Sequence, residues 1–550
     1  MSEQARLNVS IRGMTCDQCA TSIDRSLSNK QGISKKSVSY KDGKAEIIFN
    51  PDAITKEELI ATINNTGYYE VTGEIESTGN GDNHFDLLII GGGSAAFAAA
   101  IRTSELGGRA VIINKGLPTG GTCVNVGCVP SKTLIRTAEM IHNANHPRFD
   151  GIDSKANITD FKAIIDQKRQ MVSDLRKDRY VDVIADDPNI KLVNGFGRFV
   201  DEHTVDVDRT LYYGKNILIA TGAAPWVPPV DGLEETGYLT NESAYELGEL
   251  PGSLIVFGGG YIALENAQLF SRLGSRVTIV QRSGQILSDQ SEELGSALAG
   301  YLEDEGITVL TNTSIKEVSK NEATGKKTVR LTVNGENRKL EADAILVATG
   351  RIGNTANIGL EKTGIETVGR RYIPVDETLR TRVDHIFAAG DVLGERQFVY
   401  TAAYEGKIAA QNAMRGSHGK ADFSVLPWVI FTDPQAAGVG MDEKQALEAG
   451  IDYETAKLPL EYVPRSIAAR DTRGFIKLIR NKANDRLVGA RILAPEGSEL
   501  LMELVLAIRH GIPVESLKSE FHPYLTLSEG IKLAAISFGK DVGKLSCCAT

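Results

Sequence analysis

The chain has 550 residues, 24% of them charged, a formal net charge of −10 and a pI near 5.5. At roughly 150 residues per domain this suggests three or four domains, and an acidic chain without a long basic block excludes nucleic acid as the main partner. No apolar run of about 18 residues occurs, so no membrane span is expected. The opening MSEQARLN lacks an apolar stretch, so no secretory leader is expected either, and the composition suits a cytoplasmic protein.

All six cysteines fall in close pairs, Cys16/Cys19, Cys123/Cys128 and Cys547/Cys548. Structural core cysteines would be scattered singly. Pairing in a reducing compartment points to two-thiol chemistry, either redox exchange or binding of a soft metal.

Residues 1–72 read as a small separate domain. Leu7, Val9 and Ile11 alternate as in a half-buried strand, and a helix follows over 17–29. Strand-like runs at 37–40 and 45–49 come next. A second helix opens at Thr55 with Glu58 placed for a capping box. The order βαββαβ predicts a ferredoxin-like sandwich. Residues 73–84, GEIESTGNGDNH, are polar and glycine-rich and read as a linker.

From Phe85 the pattern is α/β. A buried strand at 87–90 runs into Gly91-x-Gly93-x-x-Ala96 and an apolar helix. The first glycine allows a tight turn, the second lets a pyrophosphate reach the backbone, and small Ala96 lets helix and strand pack closely. The next strand, 109–113, ends in Asn114, where such folds carry an acid to grip a ribose; an amide can bond a hydroxyl in its place. The fingerprint repeats at Gly258-x-Gly260-x-x-Ala263 after a strand at 254–257. Its second strand, 277–280, ends in Gln281-Arg282. A carboxylate there would repel a 2′-phosphate and a guanidinium would bind it, which favours NADPH over NADH. The expected fold is therefore two Rossmann-like domains, one over 85–225 and 350–426 and the other, 226–349, inserted in it. An α+β domain follows over 427–538, with strands at 475–480 and 487–492 and helices at 498–510 and 528–538. A tail over 539–550 carries Cys547 and Cys548.

The most specific string is GGTCVNVGCVPSK, residues 120–132, which sets Cys123 and Cys128 five apart at a helix start, where the N-terminus favours a thiolate. With Ala220-Thr221-Gly222, Ala348-Thr349-Gly350 and Ile386-Phe387-Ala388-Ala389-Gly390-Asp391, this resembles the pyridine nucleotide-disulfide oxidoreductases over about 85–538. The resemblance implies a homodimer that binds FAD and NADPH. FAD would pass electrons to a redox disulfide with Cys128 nearer the flavin and Cys123 as the exchange thiol. It also implies that Thr122, Thr221, Gly222, Gly350 and Asp391 belong to the cofactor sites, that Lys132 pairs with Glu265 beside the flavin, and that Tyr261 gates the nicotinamide.

Members that reduce disulfides carry a histidine five residues before a C-terminal glutamate as general acid–base. Here, five before Glu529 stands Tyr524, and the nearest histidine is His522. Either the base is replaced by a phenol, the favoured reading, or His522 is the base displaced by an insertion. A chain lacking the base would release small thiols poorly but need not handle a metal ion poorly.

Gly13-Met14-Thr15-Cys16-x-x-Cys19 resembles heavy-metal-associated domains, and two thiolates on a loop and first helical turn suit a linear soft cation. Adjacent Cys547 and Cys548 would form a strained disulfide, so the dithiol is the expected working state. With all three pairs, the chain resembles the branch of the family that reduces Hg(II) to Hg(0). That branch implies mercury passed from Cys16/Cys19 to Cys547/Cys548 and on to Cys123/Cys128 of the other subunit, with Tyr180 and Tyr524 lining the inner pocket. Hg(II) and its thiol adducts would be the substrates, with delivery from a membrane transporter. A thiol-disulfide reductase of the same family is the alternative, and a flavin-bearing copper or zinc buffer a second.

Overall fold

The computed structural model describes residues 5–28, 30–40, 43–66, 68–75, 83–541 and 543. Cys547 and Cys548 lie outside the described residues, as do 76–82 of the expected linker.

Two compact units divide the chain, one of residues 1–85 with 211–214, the other of 86–210 and 215–550. In the first, strands Ala5–Arg12, Ile33–Ser39, Lys44–Phe49 and Glu70–Ile75 form an antiparallel sheet in the order second, third, first, fourth, with helices Asp17–Ser28 and Lys56–Asn64 between them. This is the expected βαββαβ pattern. Leu7, Val9 and Ile11 face inward with Ile23, Leu27, Ile47, Phe49 and Leu59, the alternation of strands meeting the spacing of helices in one core. The capping box forms as read: Thr55 Oγ1 accepts from the Glu58 N–H at 3.2 Å, and Glu58 accepts from the Thr55 N–H at 2.9 Å. The last strand runs on to Ile75, into the stretch read as linker.

Among the described residues five further sheets are formed, three of which frame the site. In the first, Ile190–Asn194, Ala110–Asn114 and His84–Ile90 lie side by side in parallel register, followed by Thr210–Ile219, onto which Ile386–Ala388 pairs. Leu87, Leu88, Ile89, Val111 and Ile112 are wholly buried, as continuous apolar runs covered on both faces should be. The second is a parallel sheet ordered Thr308–Leu310, Arg276–Val280, Ser253–Phe257, Ala344–Val347. Its strands lie between the two stretches that build the first sheet, so the second nucleotide fold is inserted in the first. The third is a five-stranded antiparallel sheet ordered Trp428–Ile430, Gln435–Gly440, Arg486–Ala494, Phe475–Asn481, Tyr453–Pro459. Residues of helices Leu501–Arg509 and Glu529–Ile536 join its core, Leu504 and Ile531 among them. The helix expected from 498 opens with a 3-10 turn, Gly497–Leu500. No helix among the described residues is long and apolar enough to cross a membrane.

Both nucleotide turns depend on glycine. Gly91 has φ 126° and Gly258 φ 118°, and a methyl group at either would run into a carbonyl oxygen of the crossing strand end, that of Ala220 or Ala348. Left-handed backbone and a neighbouring main chain together exclude every other residue.

Candidate active site

Cys123 lies in the short helix Gly121–Val126, and Cys128 opens the long helix Cys128–Asn145. The four described cysteines are free thiols. The Cys123 thiol donates to the Cys128 sulfur, which lowers Cys128 to about 7, with the Lys132 charge assisting against burial; Cys123 is pushed up in return. A helix N-terminus contributes roughly 0.3–1 kcal/mol, less than one pKa unit at about 1.4 kcal/mol per unit. The dipole alone does not account for the shift, and the thiol–thiolate hydrogen bond leads. Only the thiolate reacts as a nucleophile, so alkylation of Cys128 by iodoacetamide in the reduced protein is expected to accelerate as pH rises through about 7. Lys132→Gln should move that midpoint upward. A wild-type midpoint near the ordinary thiol value of about 8.5 would contradict this assignment.

Lys132, one turn into the same helix, meets Glu265 of helix Tyr261–Leu273, with Nζ to Oε2 at 2.6 Å. The other Glu265 oxygen accepts the Phe431 N–H at 3.0 Å, and the Lys132 ammonium lies 4.6 Å from the Phe431 ring centre. Glu265 is buried and its charge is fully partnered. Two helices and the segment that follows strand Trp428–Ile430 are tied together behind the thiol pair.

Asn125, between the two cysteines, went unread in the sequence. Its buried amide donates to the carbonyls of Pro118, Thr119 and Gly121 at 2.8–3.2 Å, and Arg176 donates to its oxygen at 3.1 Å. This fixes the turn that carries Gly120 and Gly121 under Cys123. An amide in the middle of the cysteine string was the available signal.

Tyr180 falls in a π-helical turn, Lys177–Val181, that follows helix Phe161–Arg176. Such turns occur mostly as local insertions at functional sites. Its hydroxyl lies 3.2 Å from Ser94 Oγ, its ring meets Phe97 edge-on at 5.1 Å, and burial and then the negative charge of the two sulfurs push its phenol up. Tyr524 is 56% exposed and does not line the cleft beside Cys123 and Cys128 in its own chain.

That cleft, of about 640 Å³, is lined by Gly91, Gly93, Asn114, Thr122, Cys123, Cys128, Thr221, Gly222 and Asp391. Ala96 sits wholly buried behind it. Gly93 caps helix Ser94–Glu105, whose free N–H groups face the cleft and suit a phosphate. The Thr221 hydroxyl is buried without a hydrogen-bond partner among the described residues, and the Arg351 Nε, 3.6 Å from Asp391, is likewise unmatched. Asp391 is raised by burial, and Glu405, which accepts the Gly390 N–H at 2.7 Å, is pushed up to about 7 by the same cause. A long cleft with glycine-lined walls, an anion-ready helix end and orphaned polar atoms fits a flavin dinucleotide. Asn114 donates its Nδ2 to the Leu117 carbonyl at 3.2 Å, and its side-chain oxygen is an acceptor of the kind a ribose hydroxyl needs.

A second cleft, of about 620 Å³, is lined by Gly258, Gly260, Tyr261, Gln281, Arg282, Gly350 and Phe398. Gln397 lines both clefts and donates to the Asp391 carbonyl at 3.1 Å. Tyr261 is packed against Phe398 and Trp428 at 6.1 and 5.9 Å. Gln281 spends its amide on the Gln285 carbonyl, whereas Arg282 is exposed and forms no ion pair among the described residues.

In the first unit, Cys16 and Cys19 hold their sulfurs 3.6 Å apart on the loop and first turn of helix Asp17–Ser28. Cys19 is lowered to about 6, first by the Thr15 N–H, 3.5 Å from its sulfur, then by the Tyr69 hydroxyl. Two sulfurs that close, one ready as thiolate, suit a thiophilic cation.

This fold, with paired thiols on the wall of one dinucleotide cleft and a second cleft adjoining it, defines a flavin-linked dithiol oxidoreductase. The family model for pyridine nucleotide-disulphide oxidoreductases matches residues 85–406, its dimerisation domain matches 426–535, and the heavy-metal-associated domain matches 8–69. A flavoprotein disulfide reductase of Escherichia coli, RclA, solved as a Cu(II) complex, superposes with a TM-score of 0.74 at 31% identity, over 83% of this chain and all of the other. The mercuric reductase of Lysinibacillus sphaericus is 41% identical over 99% of this chain and 100% of its own length, and that of Staphylococcus aureus 39% over the same shares. The chain belongs to the pyridine nucleotide-disulphide oxidoreductases and, within them, to the mercuric reductases.

Proposed function

We propose that the protein reduces Hg(II) to Hg(0) at the expense of NADPH. For a thiol adduct, Hg(SR)₂, NADPH and one proton yield Hg(0), NADP⁺ and two thiols, so electrons and protons balance. The reading is carried by one conjunction: a thiol–thiolate pair on the wall of the dinucleotide cleft, in a chain that matches mercuric reductases from end to end. FAD, when bound, relays two electrons from the nicotinamide to the metal.

The chain's own groups do the rest. Arg282 offers a guanidinium to the 2′-phosphate of NADPH, and Tyr261 closes the nicotinamide pocket until the cofactor arrives. Cys16 and Cys19 capture mercury and pass it to Cys547 and Cys548, which hand it to Cys123 and Cys128 of the other protomer in a homodimer. Each transfer is thiolate exchange at the metal, with the departing sulfur taking the proton of the incoming one, so no free ion is released. Tyr180 and Tyr524 of the partner subunit steady the ion with oxygen contacts. Cytoplasmic placement and delivery by a membrane transporter complete the proposal.

The deciding experiment follows NADPH consumption with Hg(II) and excess thiol and measures mercury vapour in parallel. NADPH oxidation indifferent to Hg(II), or faster turnover of a small disulfide, would overturn it. Removing residues 1–83 should leave most of the activity when small thiols are in excess, since the core matches the family without them. Cys547→Ala with Cys548→Ala should lower kcat/KM on the order of a hundredfold or more for mercury carried by bulky thiols, by loss of the intramolecular handover. Equal loss with every carrier would argue for a different role of the tail.

A further inference from the structure

His522 is the one residue of the run 521–525 whose side chain turns inward. Phe521 is 99%, Tyr524 56% and Leu525 44% exposed, while the His522 side chain is 8% exposed. Its Nε2 meets Glu503 Oε1 of helix Leu501–Arg509 at 2.9 Å, and its Nδ1 faces the Glu520 carbonyl at 3.4 Å. Both ring nitrogens look at acceptors. An imidazole so occupied has no lone pair directed at a thiol, so His522 is not a displaced exchange base. The same short segment is pinned from the other side, where Lys532 of helix Glu529–Ile536 donates to the Glu520 carbonyl at 3.1 Å. Between these anchors the chain makes a tight turn, with the Thr526 hydroxyl on the Pro523 carbonyl at 2.7 Å and Leu525 at φ 63°. Tyr524 is carried at its apex.

We infer that His522, clamped by Glu503, is a positioning residue that fixes the turn presenting Tyr524 to the mercury pocket of the partner subunit. The inference rests on the role proposed for Tyr524 above. Without this clamp the turn keeps its internal Thr526 bond but is anchored by Lys532 on one side only, which lets the phenol wander, and displacement of a substrate-contacting group by about 1 Å can cost up to a hundredfold. Glu503 is the charged group that faces the imidazole from the neighbouring helix, and Lys532 approaches only the carbonyl.

The test is a double-mutant cycle on the full-length enzyme, read as kcat/KM for an Hg(II) bis-thiol adduct. His522→Ala and Glu503→Ala are each expected to lower kcat/KM on the order of tenfold, as is Tyr524→Phe. In the Tyr524→Phe background, His522→Ala should cost less than about twofold, because a positioning residue has nothing left to position. Glu503→Gln, whose amide oxygen still accepts from Nε2, should restore activity to within about threefold of wild type. Fully multiplicative losses, or a His522→Ala enzyme with wild-type kcat/KM, would overturn the inference. If His522→Ala fails to fold, the Glu503→Ala and Glu503→Gln arms in both tyrosine backgrounds decide it alone. A Tyr524→Phe enzyme that loses nothing while wild type evolves Hg(0) removes this inference and leaves mercury reduction intact. A wild type that evolves none removes the function itself.

Discussion

Replacing Cys128 with serine is expected to lower NADPH-dependent release of Hg(0) on the order of a thousandfold or more, with the flavin still bound. Cys128 is the sulfur that carries negative charge near neutral pH, and it reaches that state because Cys123 donates to it and Lys132 lies behind it. A serine hydroxyl ionises far too reluctantly to take its place as a soft ligand. Cys123→Ala should be about as damaging to turnover but by a different route: it leaves one thiolate without its donor and takes away the second ligand that a linear cation requires. The two variants should therefore separate in alkylation. Cys123→Ala leaves Cys128 reacting with an upward-shifted midpoint, whereas Cys128→Ser abolishes the low-pH reaction. Substantial Hg(0) evolution by either variant would overturn the assignment of the pair.

Gly258→Ala should be nearly as severe and far more selective. Its φ of 118° is closed to a side chain, and the added methyl would strike the Ala348 carbonyl, so the second nucleotide turn must open. The first cleft lies on a different sheet and keeps its own glycines. The purified variant is expected to be yellow, to fail to bleach with NADPH, and to bleach with dithionite, with kcat/KM for NADPH down on the order of a hundredfold or more. Loss of flavin from this variant, or NADPH reduction at the wild-type rate, would show that the second cleft is not where the nicotinamide cofactor docks.

Much of the architecture could be read from local signals because the physics there is local. Gly91 and Gly258 announce turns that no other residue tolerates, and Thr55 with Glu58 announces a helix start three residues apart. The first-unit strand expected from 37 in fact begins at Ile33, since a register shift between Ile33 and Lys35 hides the alternation that would have revealed it. The site was legible in its sulfurs and illegible in their supports. Lys132 and Glu265 stand 133 positions apart, and only family resemblance joined them. Asn125, Gln397 and Glu405 act through main-chain groups whose positions no sequence pattern reports. His522 was open to reading as a displaced base, the less favoured alternative to Tyr524; its neighbour Glu503, on a separate helix, was needed to see it otherwise.

The wider turn at Lys177–Val181 has a consequence for how this pocket could be lost or gained. A π turn absorbs one extra residue within a helix, so excising one residue ahead of Tyr180 would restore ordinary winding and remove the local widening that sets the ring's place. The phenol would shift from its place beside Ser94 and the sulfurs, with Tyr180 itself unchanged. On the role proposed for Tyr180, a single in-frame deletion there would weaken the enzyme, and the matching insertion would be a short route for a related reductase to bring a phenol beside its thiols.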